Sequence, residues 1–112
     1  HCVSTYPNEA NELNLTVMDT LRCRYGVPVG YSGHELGWLP SLMAVVMGAC
    51  AIERHITLDR AMWGSDQRMS LDPHDLKMLA EGIALFKQWR GDGVKRVLES
   101  EMPVMKKLRR KG

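Results

Sequence analysis

The sequence predicts an α/β fold of three consecutive βα units, because short apolar segments alternate with longer amphipathic ones. A βα unit takes about 30 residues or more, so 112 residues hold about three. A complete eight-stranded α/β (TIM) barrel needs about 250 residues. We therefore expect either a small open sheet or part of such a barrel.

The first two units are each expected to contain one strand and one helix. The first has a strand at about residues 2–4 and a helix at about 13–25, where apolar residues recur at helical spacing and Gly26 follows. The second has a strand at about 28–31, a glycine-containing loop, and a helix at about 40–47 that ends at Gly48.

The third unit has a strand at about residues 51–56, a long loop over 57–71, and a helix that Asp72-Pro73 opens. Aspartate suits the N-cap and proline the first helical position. We expect one buried stripe on this helix, formed by Leu76, Leu79, Ile83 and Phe86. Residues 94–111 predict a short amphipathic piece and a basic tail.

Composition excludes several classes of protein. A chain with 45% hydrophobic and 25% charged residues is not disordered. Five of its 15 basic residues fall in the last ten positions, and acidic residues outnumber basic ones elsewhere, so a basic nucleic-acid-binding face is not expected. An odd count of three cysteines favours a reducing, cytoplasmic setting. The basic residues of the tail are Lys106, Lys107, Arg109, Arg110 and Lys111.

Polar side chains stand where each predicted strand ends, which is where parallel α/β folds place their chemistry. His34 and His55 lie one βα unit apart, so they are expected at the same end of neighbouring strands. Two imidazoles with open positions suit Mn²⁺ or Zn²⁺. The alternative, that each histidine caps a loop or satisfies a backbone group, remains open on spacing alone.

Other candidates surround this pair. Glu53 and His55 alternate along a strand and so share a face, whereas Arg54 faces the other way and is expected in a buried structural ion pair. Ser4 and Ser32 can donate to a phosphate or serve ordinary turns. Asp66 stands in a loop long enough to be functional.

Five segments at and after the strand ends are read together: 1–7 (HCVSTYP), 30–35 (GYSGHE), 52–60 (IERHITLDR), 63–66 (WGSD) and 70–73 (SLDP). On these segments rests a resemblance to the sialic acid synthase family. It implies a (β/α)8 barrel followed by an antifreeze-like domain. Residues 1–93 then correspond to barrel strands six to eight, and 94–112 to the linker.

The resemblance also implies an activity: metal-dependent condensation of phosphoenolpyruvate with N-acetylmannosamine or its 6-phosphate, by a homodimeric enzyme. His34 and His55 become the Mn²⁺ ligands, and Glu53 a carboxylate bordering them. Ser4 and Ser32 fall near phosphoenolpyruvate, and Tyr6 and Asp66 near the amino sugar. The lysines that neutralise phosphoenolpyruvate belong to earlier strands, so the 112 residues alone are expected to be inactive.

Two positions depart from the best-known bacterial pattern. Gly33 stands where many members have Asp, and Ser65 where they have Pro; both resemble vertebrate-type enzymes and favour a phosphorylated acceptor. Ser4 replaces an Asn of some bacterial members. The competing interpretation is a non-catalytic α/β binding or assembly module whose histidines are structural.

Overall fold

Two short parallel strands form the centre of the molecule. The computed structural model describes residues 1–108, so Arg109, Arg110 and Lys111 of the basic tail lie outside the described residues. Strands β1 (Tyr31–Gly33) and β2 (Ile52–Arg54) pair in parallel, with Ser32 opposite Glu53. This parallel pairing, with a helix between the strands, confirms the βα order predicted from sequence.

The predicted strand boundaries were wrong in detail. Residues 2–4 contribute one isolated bridge, Cys2 to Ser32, in place of a strand. The second strand begins at Tyr31 where residues 28–31 were predicted, and the third is shortened to β2. Strand ends depend on which backbone groups find a partner, and apolar patterning does not report that. A second isolated bridge joins Ile56 to Leu71.

The described residues form four α-helices: α1 (Val17–Tyr25), α2 (Leu39–Val46), α3 (Pro73–Trp89) and α4 (Met102–Leu108). Short 3₁₀ helices cover Ala10–Glu12 and Glu99–Glu101. Helix α1 begins four residues later than predicted. Asn14 has a φ of 41°, a left-handed conformation that interrupts a helix and that asparagine tolerates better than most residues.

Helix α3 begins as the sequence predicts. The Asp72 carboxylate accepts a hydrogen bond from the backbone N–H of Asp75 at 2.8 Å, and Pro73 occupies the first helical position. The predicted buried stripe was only partly right. Leu79 is buried, Ile83 and Phe86 are half-buried and Leu76 is exposed, because periodicity shows which face is apolar and not how much of it is covered.

The core is small and lies between α1, the strands and α2. Met18, Val29, Tyr31 and Ala44 are buried in one cluster, and Leu21 and Ile52 pack against it. The radius of gyration is 19.4 Å, against about 13 Å for a compact 100-residue domain, so the described chain is elongated. Within residues 1–108, none of the helices has the length and apolarity to cross a membrane.

Candidate active site

Three aromatic rings meet where β1 and β2 end. The ring centroids of His34 and His55 lie 5.4 Å apart in an edge-to-face arrangement. The Tyr6 ring lies 4.1 Å from that of His34 and 6.2 Å from that of His55. His34 directly follows β1 and His55 directly follows β2. Parallel pairing therefore brings the two imidazoles to the same edge of the sheet.

His34 is held in one orientation. Its side chain is buried, and its Nδ1 lies 2.9 Å from the backbone carbonyl of Val3. A carbonyl only accepts, so Nδ1 carries the proton and donates, and the lone pair is left on Nε2. Histidines that bind metals are commonly oriented by such a bond from the other ring nitrogen. His34 thus has the tautomer that a metal ligand needs.

Asn8, which the sequence analysis did not single out, organises the surroundings of His34. The backbone N–H of Asn8 donates to the carbonyl of His34 at 3.0 Å, and its side-chain oxygen accepts from the N–H of His34 at 3.2 Å. Its side-chain nitrogen donates to the carbonyl of Val3 at 3.0 Å, the same carbonyl that His34 uses. Asn8 therefore fixes both the backbone of His34 and the acceptor of its ring.

His55 is less restrained. Its side chain is 34% exposed, and its Nδ1 lies 3.7 Å from the Asp66 carboxylate. The other oxygen of Asp66 accepts a hydrogen bond from the Ser65 hydroxyl at 2.8 Å. The long loop after β2 therefore brings Asp66 back to His55; its predicted contact with the amino sugar stays a prediction.

The remaining candidates, Ser4, Ser32 and Glu53, form no hydrogen bond with the imidazoles of His34 and His55. The Ser32 hydroxyl donates to the Glu53 carboxylate across the paired strands, and Glu53 is exposed. Ser4 is exposed and its side chain forms no hydrogen bond with other described residues. Among residues 1–108, no three His, Cys, Asp or Glu side chains are grouped to hold a metal. A metal held by the two imidazoles therefore needs its other ligands from water, substrate or other protein segments.

The opposite side of the same strand ends holds a buried ion pair. Arg54 Nη1 lies 2.8 Å from Glu35 Oε1, and the two side chains are 3% and 4% exposed. The structural ion pair predicted for Arg54 is confirmed; its partner, Glu35, was not identified from sequence. Alternation along the chain was the available signal, since Glu35 follows His34 and must point the other way. Burial lowers the pKa of Arg54, and the nearby Glu35 carboxylate opposes that shift.

Tyr31 completes the buried group. Its hydroxyl donates to the Glu35 carboxylate at 2.9 Å. Burial and then the charge of Glu35 raise the pKa of Tyr31, so the phenol keeps its proton and remains a donor. The two sides of the strand ends therefore differ: one holds a buried group whose charges compensate each other, and the other carries buried His34 with the partly exposed His55 and Asp66.

The arrangement suits a divalent cation. Imidazole nitrogens are donors that Mn²⁺ and Zn²⁺ accept, and here two imidazoles share one edge, with Nδ1 and not Nε2 of His34 engaged by the Val3 carbonyl. The strands are parallel and are joined by a helix, so the protein is of the α/β class. In this class, ligand-binding sites lie at the carboxyl ends of the strands, where the two imidazoles stand.

Comparisons with known proteins identify the family. The NeuB family model matches residues 1–95. The chain is 46% identical over 101 residues to N,N'-diacetyllegionaminic acid synthase of Campylobacter jejuni, covering 90% of this chain and 30% of that protein. It is 40% identical over 108 residues to human N-acetylneuraminate-9-phosphate synthase, covering 96% of this chain and 30% of that protein.

A solved structure agrees. The sialic acid synthetase of Leptospira borgpetersenii serovar Hardjo-bovis superposes with a TM-score of 0.78 at 37% identity, over 99% of this chain and 40% of that one. The chain therefore belongs to the NeuB family, whose matched relatives are named sialic, legionaminic and pseudaminic acid synthases. It spans about 30% of the length of the curated relatives described above.

Proposed function

We propose that these residues form part of a synthase that condenses phosphoenolpyruvate with N-acetylmannosamine or its 6-phosphate. One water molecule is consumed, and the products are N-acetylneuraminate or its 9-phosphate and inorganic phosphate. The observation that carries the proposal is the His34–His55 pair, whose rings lie 5.4 Å apart at one strand edge with Tyr6 packed against them. Membership of the NeuB family supplies the class of reaction.

His34 and His55 are proposed to hold Mn²⁺ or another divalent ion. When bound, that ion supplies positive charge beside the aldehyde oxygen of the open-chain sugar, where negative charge develops. The remaining work belongs to the chain itself. Val3 and Asn8 orient the His34 ring, because the Val3 carbonyl engages Nδ1 and leaves Nε2 as the nitrogen for a ligand. Glu53 is proposed to border the site from β2, in contact with Ser32.

The two substrates are proposed to occupy different sides of the imidazoles. Ser4 and Ser32 have hydroxyl donors for phosphoenolpyruvate. Tyr6 is about half exposed, so its ring has a free part beside the histidines for the amino sugar, and Asp66 can accept hydrogen bonds from sugar hydroxyls. Gly33 and Ser65 favour the phosphorylated acceptor. The whole enzyme is proposed to be a cytoplasmic homodimer.

A chimera tests this proposal. In the human relative, this chain replaces the segment that it matches; we refer to the product as the completed synthase. Variants His34→Ala and His55→Ala are compared with His74→Ala, an exposed residue in the first turn of α3 that serves as the matched control. Formation of the nine-carbon acid is followed with Mn²⁺ titrated, using the free sugar and its 6-phosphate in parallel.

We expect both site variants to lose Mn²⁺-dependent product formation and His74→Ala to keep it. A completed synthase that is folded and active, with unchanged Mn²⁺ affinity in both site variants, would overturn the ligand assignment. A folded completed synthase with no condensation would instead favour the competing interpretation, a binding or assembly module in which His34 and His55 are structural.

A further inference from the structure

The buried ion pair and the two histidines are neighbours in the chain. Glu35 follows His34, and Arg54 precedes His55. Consecutive residues at strand ends point to opposite faces, so Glu35 and Arg54 meet behind the sheet edge on which the imidazoles meet. A contact of 2.8 Å between Glu35 and Arg54 therefore ties together the two backbone segments that carry His34 and His55.

Arg54 contacts more than its charged partner. Its Nη1 donates to the backbone carbonyl of Gly37 at 2.8 Å and to the Ser41 hydroxyl at 2.9 Å. Its Nη2 donates to the backbone carbonyls of Glu35 at 2.7 Å and Met69 at 3.1 Å. One guanidinium thus joins the loop after β1, the start of α2 and the end of the long loop after β2.

Glu35 is equally engaged. Besides Arg54, its carboxylate accepts from the Tyr31 hydroxyl at 2.9 Å and from the Ser41 hydroxyl at 2.6 Å. These bonds fix the carboxylate relative to both β1 and α2. Neither the Glu35 nor the Arg54 side chain forms a hydrogen bond with an imidazole, so we expect their effect on the histidines to pass through the backbone.

Stability alone accounts poorly for this group. Replacing a buried ion pair by well-packed apolar side chains is often neutral or stabilising, because both charges lose their hydration. In addition, Nε of Arg54 is buried without a hydrogen-bond partner among the described residues. A flat guanidinium that reaches four carbonyl or carboxylate groups from different segments instead provides a defined geometry, which an ammonium cannot reproduce.

We propose that the Arg54–Glu35 ion pair is a positioning element that sets the separation of the His34 and His55 imidazoles for a divalent cation. The proposal rests on the proposed function, since it assumes that the two histidines share one ion. It predicts that the pair controls the affinity and geometry of metal binding without touching the metal.

The test compares two arginines in the completed synthase. Arg54→Lys keeps the positive charge but removes the forked guanidinium. Glu35→Gln keeps the shape of the side chain but removes its negative charge. Arg22→Lys is the matched control, because Arg22 also joins segments, donating to the carbonyls of Met47 at 2.9 Å and Gly48 at 3.0 Å away from the histidines. Mn²⁺ affinity is measured from the electron paramagnetic resonance of free Mn²⁺, and ligand geometry from the visible spectrum of bound Co²⁺.

We expect Arg54→Lys and Glu35→Gln to weaken Mn²⁺ binding by about 10–100-fold, the usual effect of losing a group that orients a metal ligand. The Co²⁺ spectrum should shift in both. Arg22→Lys should change thermal unfolding in the absence of metal while leaving Mn²⁺ affinity and the Co²⁺ spectrum unaltered. Should Arg54→Lys fail to fold, Glu35→Gln, which keeps the shape of the carboxylate, carries the test.

The outcomes separate the two proposals. Folded Arg54→Lys or Glu35→Gln proteins with the Mn²⁺ affinity and Co²⁺ spectrum of the parent would overturn the positioning role and leave the histidine assignment standing. A parent protein that binds no Mn²⁺, or whose binding is unaffected by His34→Ala, would overturn both. Equal losses in the Arg54 and Arg22 variants would show a general effect of destabilisation and overturn the positioning role alone.

Discussion

The two faces of the strand ends at residues 33–35 and 53–55 are built in opposite ways. On one face, the Arg54–Glu35 pair is buried, and its carboxylate accepts hydrogen bonds from three side chains. On the other, His55 and Asp66 are about one-third and one-half exposed, and their closest approach is 3.7 Å. Residues one position apart in sequence therefore serve different purposes: one face fixes the backbone, and the other leaves ligand positions available.

His34 stands between these two extremes. It is as buried as the side chains of the ion pair, yet its ring lies 5.4 Å from that of the partly exposed His55. Groups that must bind ligands cannot also use all their hydrogen-bonding capacity on one another. The edge that carries the imidazoles is therefore fixed by the buried ion pair on the opposite face. Substitutions on the two faces should accordingly affect different measurements.

The largest effect on stability is expected when only one partner of the Arg54–Glu35 ion pair is removed. Glu35→Ala leaves the buried guanidinium of Arg54 without its counter-ion, which costs about 3–5 kcal/mol. The measurement is the urea midpoint of the completed synthase without metal. The double variant Glu35→Leu, Arg54→Met removes both charges and should be considerably less destabilised. Equal losses in the single and double variants would contradict the view that an unpaired buried charge dominates.

On the open face, Asp66→Asn should weaken binding and spare stability. Losing a charged partner of a bound polar group costs about 1.5–3 kcal/mol, or about 10–150-fold in affinity. We expect the KM for the amino sugar to rise by that factor while phosphoenolpyruvate and Mn²⁺ binding stay close to normal. Steady-state kinetics with each substrate varied in turn provide the measurement. A defect confined to phosphoenolpyruvate, or no defect at all, would contradict a sugar contact and leave Asp66 as a turn residue that stabilises its loop.

The two histidines should differ in how much each contributes to the stability of the fold. His34→Ala removes a buried donor and leaves the Val3 carbonyl with one partner fewer, so we expect a loss of about 1–3 kcal/mol in unfolding free energy. His55 is partly exposed, and His55→Ala should cost about 0.5 kcal/mol or less. Thermal unfolding without metal measures both. A larger loss for His55→Ala would show that the exposed group carries structure as well as ligand positions.

Local signals made some of this structure predictable. Asp72 and Pro73 identified the start of α3 because capping chemistry lies within one turn of the chain. The meeting of His34 with His55 followed from parallel topology, since both directly follow strands. The ends of β1 and β2 did not follow, because a strand extends only as far as its partner does.

The partners of the site residues were harder to predict. Asn8 bonds His34 across 26 positions, and Glu35 meets Arg54 across 19, with no periodic pattern to indicate either contact. The solvent exposure of individual side chains could not be predicted either. Leu76 belongs to the apolar stripe of α3 but remains outside the small core. Sequence therefore indicated which residues share an edge, and the structure was needed to show what holds them there.

The smallest effect is expected at Asp72, the exposed N-cap of α3, which belongs to neither face. The N–H of Asp75 holds the pKa of the Asp72 carboxyl below its ordinary value of 3.8, and Arg60 adds to that shift. Because the pKa of this carboxyl is lower in the folded state, its charge stabilises the fold at pH values above the ordinary pKa. That contribution disappears as the pH falls through the pKa of the folded state. The completed synthase should therefore lose stability on acidification partly through Asp72.

Asp72→Asn isolates that contribution, because asparagine also caps helices but does not titrate in this range. Urea unfolding is compared at about pH 6 and about pH 3.5, on either side of the usual carboxylate range. We expect the variant to show a smaller decrease in stability between the two conditions than the parent does. Asp92, whose pKa is also lowered, chiefly by the N–H of Val94, remains in both proteins and cancels in the difference. Identical acid sensitivity in parent and variant would mean that the charge of Asp72 adds nothing to its capping hydrogen bond.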